Sequence, residues 1–210
     1  MSDLTKLNCQ EFLKKLSSNA PTPGGGGGAA MAGALAAALT SMVGNLTVGK
    51  EKFAENEAEV KEMLQDAEAL RTKLLNLVNA DAEAFNNFMA CYKMPRGTDL
   101  ERYSRAKAIQ RAAKQAAEVP LKIAKLCLEV MRYAERIAAI GNPGAITDAA
   151  VSAILGRAAM RSALYNVIVN LKIIKDDFYT QDMYRKIEAM EQEAYALEKS
   201  TLATTDEVLA

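Results

Sequence analysis

The chain has 210 residues, half of them hydrophobic, with 26 basic against 26 acidic side chains and no histidine. Such a balance gives no electrostatic reason to expect a nucleic-acid or anionic-membrane partner. The missing imidazole excludes Ser-His-Asp and Cys-His triads, histidine-containing zinc sites, the facial triad of non-haem iron and a histidine proton shuttle.

Acid and base chemistry must therefore use Asp, Glu, Lys, Tyr, backbone or water. The three cysteines, Cys9, Cys91 and Cys127, are odd in number and widely spaced. They fit buried thiols in a reducing cytoplasm better than a disulfide framework or a metal cluster. With 38 alanines against ten valines and ten isoleucines, the composition favours close-packed helices over sheets.

In chain order, Leu4, Leu7, Phe12, Leu13 and Leu16 carry the spacing of an amphipathic helix capped near Ser2 or Asp3. Charges throughout this stretch argue against a secretory signal peptide. Pro21-Thr22-Pro23 and five glycines, Gly24 to Gly28, then open a segment with no charged residue from Ser17 to Gly49. A run of small residues such as this reads as a central helix buried on all sides rather than a membrane span.

Residues Glu51 to about Tyr92 read as one long helix, broken by Met94-Pro95-Arg96-Gly97. Thr98 and Glu101 have the spacing of a capping box that starts the next helix, and Pro120 either kinks that helix or restarts it. Gly141-Asn142-Pro143-Gly144 is a stop, after which Thr147 caps a helix from Asp148 to about Asp176. A last amphipathic helix from near Gln181 to Lys199 precedes a polar tail. No alternating segment bounded by hairpin turns occurs, so the chain reads as all-α: one domain over residues 1–210, a bundle of long, partly kinked antiparallel helices.

Three places interrupt this scaffold with polar or flexible residues. Pro23, Gly24, Gly25 and Gly26 form either a hinge or a place where backbone approaches a planar or anionic ligand closely. Around Asn142, Thr147 and Asp148 the residues form either an N-cap with an acidic first turn or part of a site. Asn166 and Asn170, four apart on one helix face within an apolar run that ends at Asp176, either tie helices together or bind ligand.

The segments PTPGGGGGAAMAGAL with LTVGK, then DAEAFNNFMACYKMP, then GNPGAITDAAVSAILG with NVIVNLKIIKD occur in that order. Together they resemble the cyclodeaminase/cyclohydrolase family, the C-terminal domain of formiminotransferase-cyclodeaminase and its stand-alone bacterial relatives, over about residues 8 to 200. One departure is Gly27, where the family usually has serine. The resemblance implies a helical homodimer acting on a one-carbon unit of tetrahydrofolate, the site lying near the subunit interface and needing no metal and no cofactor beyond the folate substrate.

Two reactions fall within it. A cyclodeaminase closes 5-formimidoyltetrahydrofolate to the 5,10-methenyl form with release of ammonia, and a cyclohydrolase adds water to the methenyl carbon to give 10-formyltetrahydrofolate. Deamination is placed first because it defines the parent family, although the lack of a transferase segment in these residues leans the other way. A non-catalytic folate-binding bundle is the remaining alternative. The resemblance points to Asp148 as the first candidate for the catalytic carboxylate, followed by Asp81 and Asp176. It also marks Lys50 for the glutamate tail or proton donation, and Asn142, Asn166, Asn170 and Gly24 to Gly26 for the pterin or the one-carbon nitrogen.

Overall fold

The computed structural model describes residues 3–210, and among them no strand occurs. A short 3-10 turn at Leu4–Lys6 leads to six helices: α1 (Cys9–Leu16), α2 (Gly25–Asn45), α3 (Glu57–Tyr92), α4 (Asp99–Ile140), α5 (Ile146–Leu171) and α6 (Asp177–Leu209). The expected all-α architecture is present. Several boundaries differ, each for a local reason.

The first expected helix is split in two. Asp3 caps the 3-10 turn, and Asn8 then restarts the chain through a capping box with Glu11; Ser2 lies outside the described residues. The long helix expected from Glu51 opens as a 3-10 segment, Glu51–Asn56, because Phe53 leaves helical geometry at φ −117° and ψ 17°. Thr98 and Glu101 do form the expected capping box, and α4 runs unbroken through Pro120.

Thr147 caps nothing. Asn142 instead accepts from the Gly144 N–H to start a 3-10 turn at Pro143–Ala145, and α5 follows from Ile146. The polar tail also stays helical to Leu209: Asp176 caps the start of α6, and Thr201 and Thr205 are buried, their hydroxyls donating to the Leu197 and Thr201 carbonyls.

α2 sits in the middle, packed against α3, α4 and α5, while α6 covers α4 and α5. It has the length and composition of a membrane span, yet most of its apolar window is buried inside the bundle. Small residues let its neighbours come close. A methyl group at Gly33 would lie 2.5 Å from Cys127 Sγ of α4, and one at Gly44 would lie 2.8 Å from Leu64 of α3.

α2 and α5 run antiparallel. Asn142, just before α5, donates from its backbone to Thr47 Oγ1 and from its side chain to the Leu46 carbonyl at the end of α2. Midway, Thr40 and Ser152 share a buried hydrogen bond of 2.8 Å. At the other end, Asn166 of α5 lies beside Gly25 of α2. This orientation decides which candidate residues meet.

Candidate active site

A cavity of about 310 Å³ opens where the start of α2, the later part of α3, the middle of α4 and the end of α5 converge. Its walls include Pro21, Thr22 and Gly24 to Gly26, with Phe85 and Phe88 from α3, Pro120 from α4, and Asn166 and Asn170 from α5. Aromatic and aliphatic walls with a few convergent polar groups are the usual make-up of a small-molecule site.

Asp81 is the charged side chain among the described residues that line it. Its carboxylate lies against the backbone of Gly26. A methyl group there would come within 2.5 Å of the carboxylate carbon and 2.7 Å of Oδ2. Only glycine admits Asp81 at this distance, which gives one residue of the glycine tract a definite task.

Gly24, at the N-cap position of α2, has no side chain to cap it. Asp81 takes that role across the helix interface by accepting from the Gly27 N–H. Burial pushes its carboxyl above the ordinary carboxylate range, and the Gly27 hydrogen bond only partly opposes this. A half-buried carboxylate with a raised pKa can stabilise a cation or exchange a proton with a bound water or substrate nitrogen.

Pro23 is buried behind the glycines rather than in the cavity wall. A methyl group at Gly27 would meet Pro23 Cβ at 3.4 Å and Val78 Cγ1 at 3.7 Å. The serine expected of relatives at this position would therefore fit without backbone movement, and its Cβ would face Pro23 and Val78.

Asn166 donates to the Ser162 carbonyl at 2.9 Å, and its amide stands beside Gly25. Asn170 donates to the carbonyls of Ala116 and Asn166 at 3.0 and 2.8 Å. Asp176 lies outside the lining: it caps α6 by accepting from the Tyr179 N–H and pairs with Lys114 at 2.6 Å. That pairing, followed by the cap, holds its carboxyl below the usual range.

The other candidates stand at the far end of the bundle. Asp148 and Asn166 are separated by eighteen positions of α5, about 27 Å of helix rise. Lys50 is exposed beyond the other end of α2, and Asn142 is bonded to that same end. Within one chain, then, the cavity gathers Gly24 to Gly26, Asp81, Asn166 and Asn170, and leaves Asp148, Asn142 and Lys50 apart from them.

Phe85, Phe88, Pro120 and Ile173 are among the cavity residues that the sequence candidates did not include. Phe85 and Phe88 read only as an apolar flank of a long helix. Pro120 carried a usable signal, since a proline inside a helix leaves one carbonyl in need of a donor.

A six-helix fold around a small aromatic cavity with one half-buried carboxylate has the make-up of a small-molecule enzyme site. The family model described as formiminotransferase-cyclodeaminase matches residues 8–189, and the chain belongs to this family. A methenyltetrahydrofolate cyclohydrolase of Methylorubrum extorquens is 44% identical over 195 residues, which cover 93% of this chain and 94% of that protein. The formimidoyltransferase-cyclodeaminase of Mus musculus is 34% identical over 183 residues, 87% of this chain but 34% of that longer protein. The crystal structure of a formiminotetrahydrofolate cyclodeaminase from Thermotoga maritima matches with a TM-score of 0.88 at 28% identity, covering 98% of both chains.

Proposed function

We propose that the chain is a folate one-carbon enzyme, a methenyltetrahydrofolate cyclohydrolase, with Asp81 as the carboxylate that acts on the one-carbon unit. The half-buried Asp81, set against Gly26 in an aromatic cavity, carries this reading. The 44% match along nearly the whole of both chains favours hydrolysis over deamination, reversing the order that the family name suggests.

The 5,10-methenyl unit is an amidinium-like cation, so an ionised Asp81 stabilises it electrostatically. Asp81 takes a proton from water as the water oxygen bonds to the methenyl carbon, giving a neutral carbinolamine. The carbon–N5 bond then breaks as the hydroxyl proton is lost, the C=O forms and N5 gains a proton. In sum, the cation and water give 10-formyltetrahydrofolate and one proton. The reaction so written draws on no further cofactor.

The likeness to the Thermotoga cyclodeaminase favours a second reading. There N10 attacks the carbon of the protonated formimidoyl group, Asp81 takes the N10 proton and passes it to the amino nitrogen of the tetrahedral intermediate, and the carbon–nitrogen bond breaks to release ammonia and the methenyl cation. Incubation with each substrate, following the methenyl chromophore and free ammonia, separates the two. Loss of the chromophore without ammonia supports the hydrolase, whereas ammonia released as the chromophore appears supports the deaminase. Folate binding with neither change would leave a non-catalytic module.

The same proposal includes a homodimer. Leu35 and Met42 of α2, Leu46 at its C-cap, and Val151, Ile154 and Val169 of α5 are exposed, along a face with no charge on its α2 side. A second copy packed antiparallel over this face would bring its Asp148, Asn142 and Lys50 end toward this cavity. Asp148 thereby keeps a place in the reading, as a group supplied across a two-fold axis. The thiols of Cys9, Cys91 and Cys127 are free and suit a cytoplasmic location, but only Cys127 is buried as expected, Cys9 being exposed and Cys91 partly so.

A further inference from the structure

Pro120 has no N–H, so the Ala116 carbonyl one turn earlier in α4 loses its helical donor. Asn170 of α5 supplies one instead. Its Nδ2 donates to Ala116 O at 3.0 Å, and its second hydrogen goes to Asn166 O at 2.8 Å. A side-chain amide has two N–H donors and one carbonyl acceptor. Both donors are spent on main-chain oxygens.

This fixes which way the amide points. Turned over, it would set Oδ1 against two carbonyl oxygens and lose both bonds. Oδ1 therefore remains the free polar atom of a residue that lines the cavity, with no donor for it among the described residues. It can only accept. An ionised Asp81 likewise only accepts.

The frame around Asn170 is braced as well. Gln110 of α4 donates to the Ile173 carbonyl at 2.9 Å and accepts from the Lys175 N–H at 2.8 Å, which ties down the turn that follows α5. Ile173 is itself a wall of the cavity. The acceptor is thus held on both sides.

We propose that Asn170 is a specificity-determining residue: its Oδ1 selects a planar heterocycle that presents an amino N–H, and so admits the 2-amino-4-oxopyrimidine edge of a pterin. This rests on the reading that the head group of a folate enters the cavity. A volume of about 310 Å³ with Phe85 and Phe88 in its walls suits a flat ring system rather than a whole folate. A ring with an oxo group in place of the amino group would set acceptor against acceptor and leave Asn170 unpaired. Sites built to pair a polar group discriminate strongly in this way.

The test uses pterin and lumazine, bicyclic rings that differ in having an amino or an oxo group at position 2. Each is titrated by fluorescence quenching against the wild-type protein and the Asn170→Ala variant. The wild type should bind pterin at least about tenfold more tightly than lumazine. In the variant that ratio should fall at least about threefold. A purely structural role would weaken both ligands alike, and an unchanged ratio overturns the proposal.

Should Asn170→Ala fail to fold, the same substitution is made in a Pro120→Ala background, where a main-chain N–H is restored to Ala116. The ratio there is compared with that of Pro120→Ala alone, and the same fall is expected. Turnover of the methenyl substrate by a wild-type protein that does not distinguish the rings would overturn the Asn170 assignment and leave the activity standing. An intact, Asn170-dependent ratio without turnover would remove the activity and leave the assignment.

Discussion

Asn170 Nδ2 lies 3.0 Å from the Ala116 carbonyl, the oxygen whose helical donor is missing because residue 120 is proline. A side chain of one helix thus completes the hydrogen bonding of another. Asn170→Ala should cost about 1–3 kcal/mol in urea unfolding, the range for a buried acceptor left unpaired. In the Pro120→Ala background the cost should fall by about 1 kcal/mol, because the backbone then supplies the bond. Equal costs in the two backgrounds would show that Asn170 does not serve the Ala116 oxygen.

Burial raises the Asp81 pKa, so the folded chain holds that proton more tightly than the unfolded chain does. The sign follows from linkage: stability falls as pH rises from the unfolded toward the folded pKa, and the loss persists at neutral pH. Asp81→Asn removes the charge and keeps an oxygen for the Gly27 N–H. The variant should melt at an equal or higher temperature than wild type at pH 7, while turnover drops by about 10²–10⁴-fold. A clearly lower melting temperature would mean that the start of α2 needs the full negative charge.

The glycine tract divides by position. Gly26→Ala places a methyl group against the Asp81 carboxylate, so the carboxylate must move, and turnover should fall at least about tenfold. Gly28→Ala meets only Leu16 Cδ2 at 4.0 Å. It should keep activity and gain up to about 1 kcal/mol of stability from helix propensity. Similar outcomes for the two variants would contradict this assignment of Gly26.

If the proposed dimer forms over this face, Leu35→Arg or Ile154→Arg should turn it to monomer in analytical ultracentrifugation and reduce turnover without unfolding the chain, since both side chains are already exposed. Mixing inactive Asp81→Asn and Asp148→Asn proteins under exchange conditions should restore about a quarter of wild-type turnover, because half the random dimers then carry one intact composite site. Activity that never rises above that of the separate variants would confine catalysis to residues of a single chain.

The helices were legible wherever a local rule sufficed. The Thr98–Glu101 box needs only a four-residue window, and the uncharged run from Ser17 to Gly49 marks a buried helix by composition. The split at Asn8 was missed because the apolar spacing continues across it while the cap interrupts it. The helical polar tail was missed because Thr201 and Thr205 are buried with their hydroxyls satisfied by carbonyls of their own helix, a burial that hydropathy does not register.

The site was legible in its parts and not in its pairings. Asp81 and Asp148 both stand on helices in recognisable motifs, and only the antiparallel course of α2 and α5 separates them by most of the length of the bundle. What distinguishes Asp81 is a contact with Gly26 some 55 positions away in the chain. Similarly, the spacing of Asn166 and Asn170 showed a shared face, but the partner that orients Asn170 is created by a proline on another helix.

The close contacts of Gly33 and Gly44 have one last consequence, for register. Sliding α2 by one residue would turn it about 100° and advance it about 1.5 Å, driving Ala32 or Ala34 into Cys127 and Val43 or Asn45 into Leu64. The helix therefore has one axial setting, keyed at its middle and its far end like a bolt in two wards. Since Gly25 and Gly26 ride on that bolt, their place beside Asn166 and Asp81 is set by residues well outside the cavity. Bulkier side chains at Gly33 or Gly44 would disturb the site without touching it.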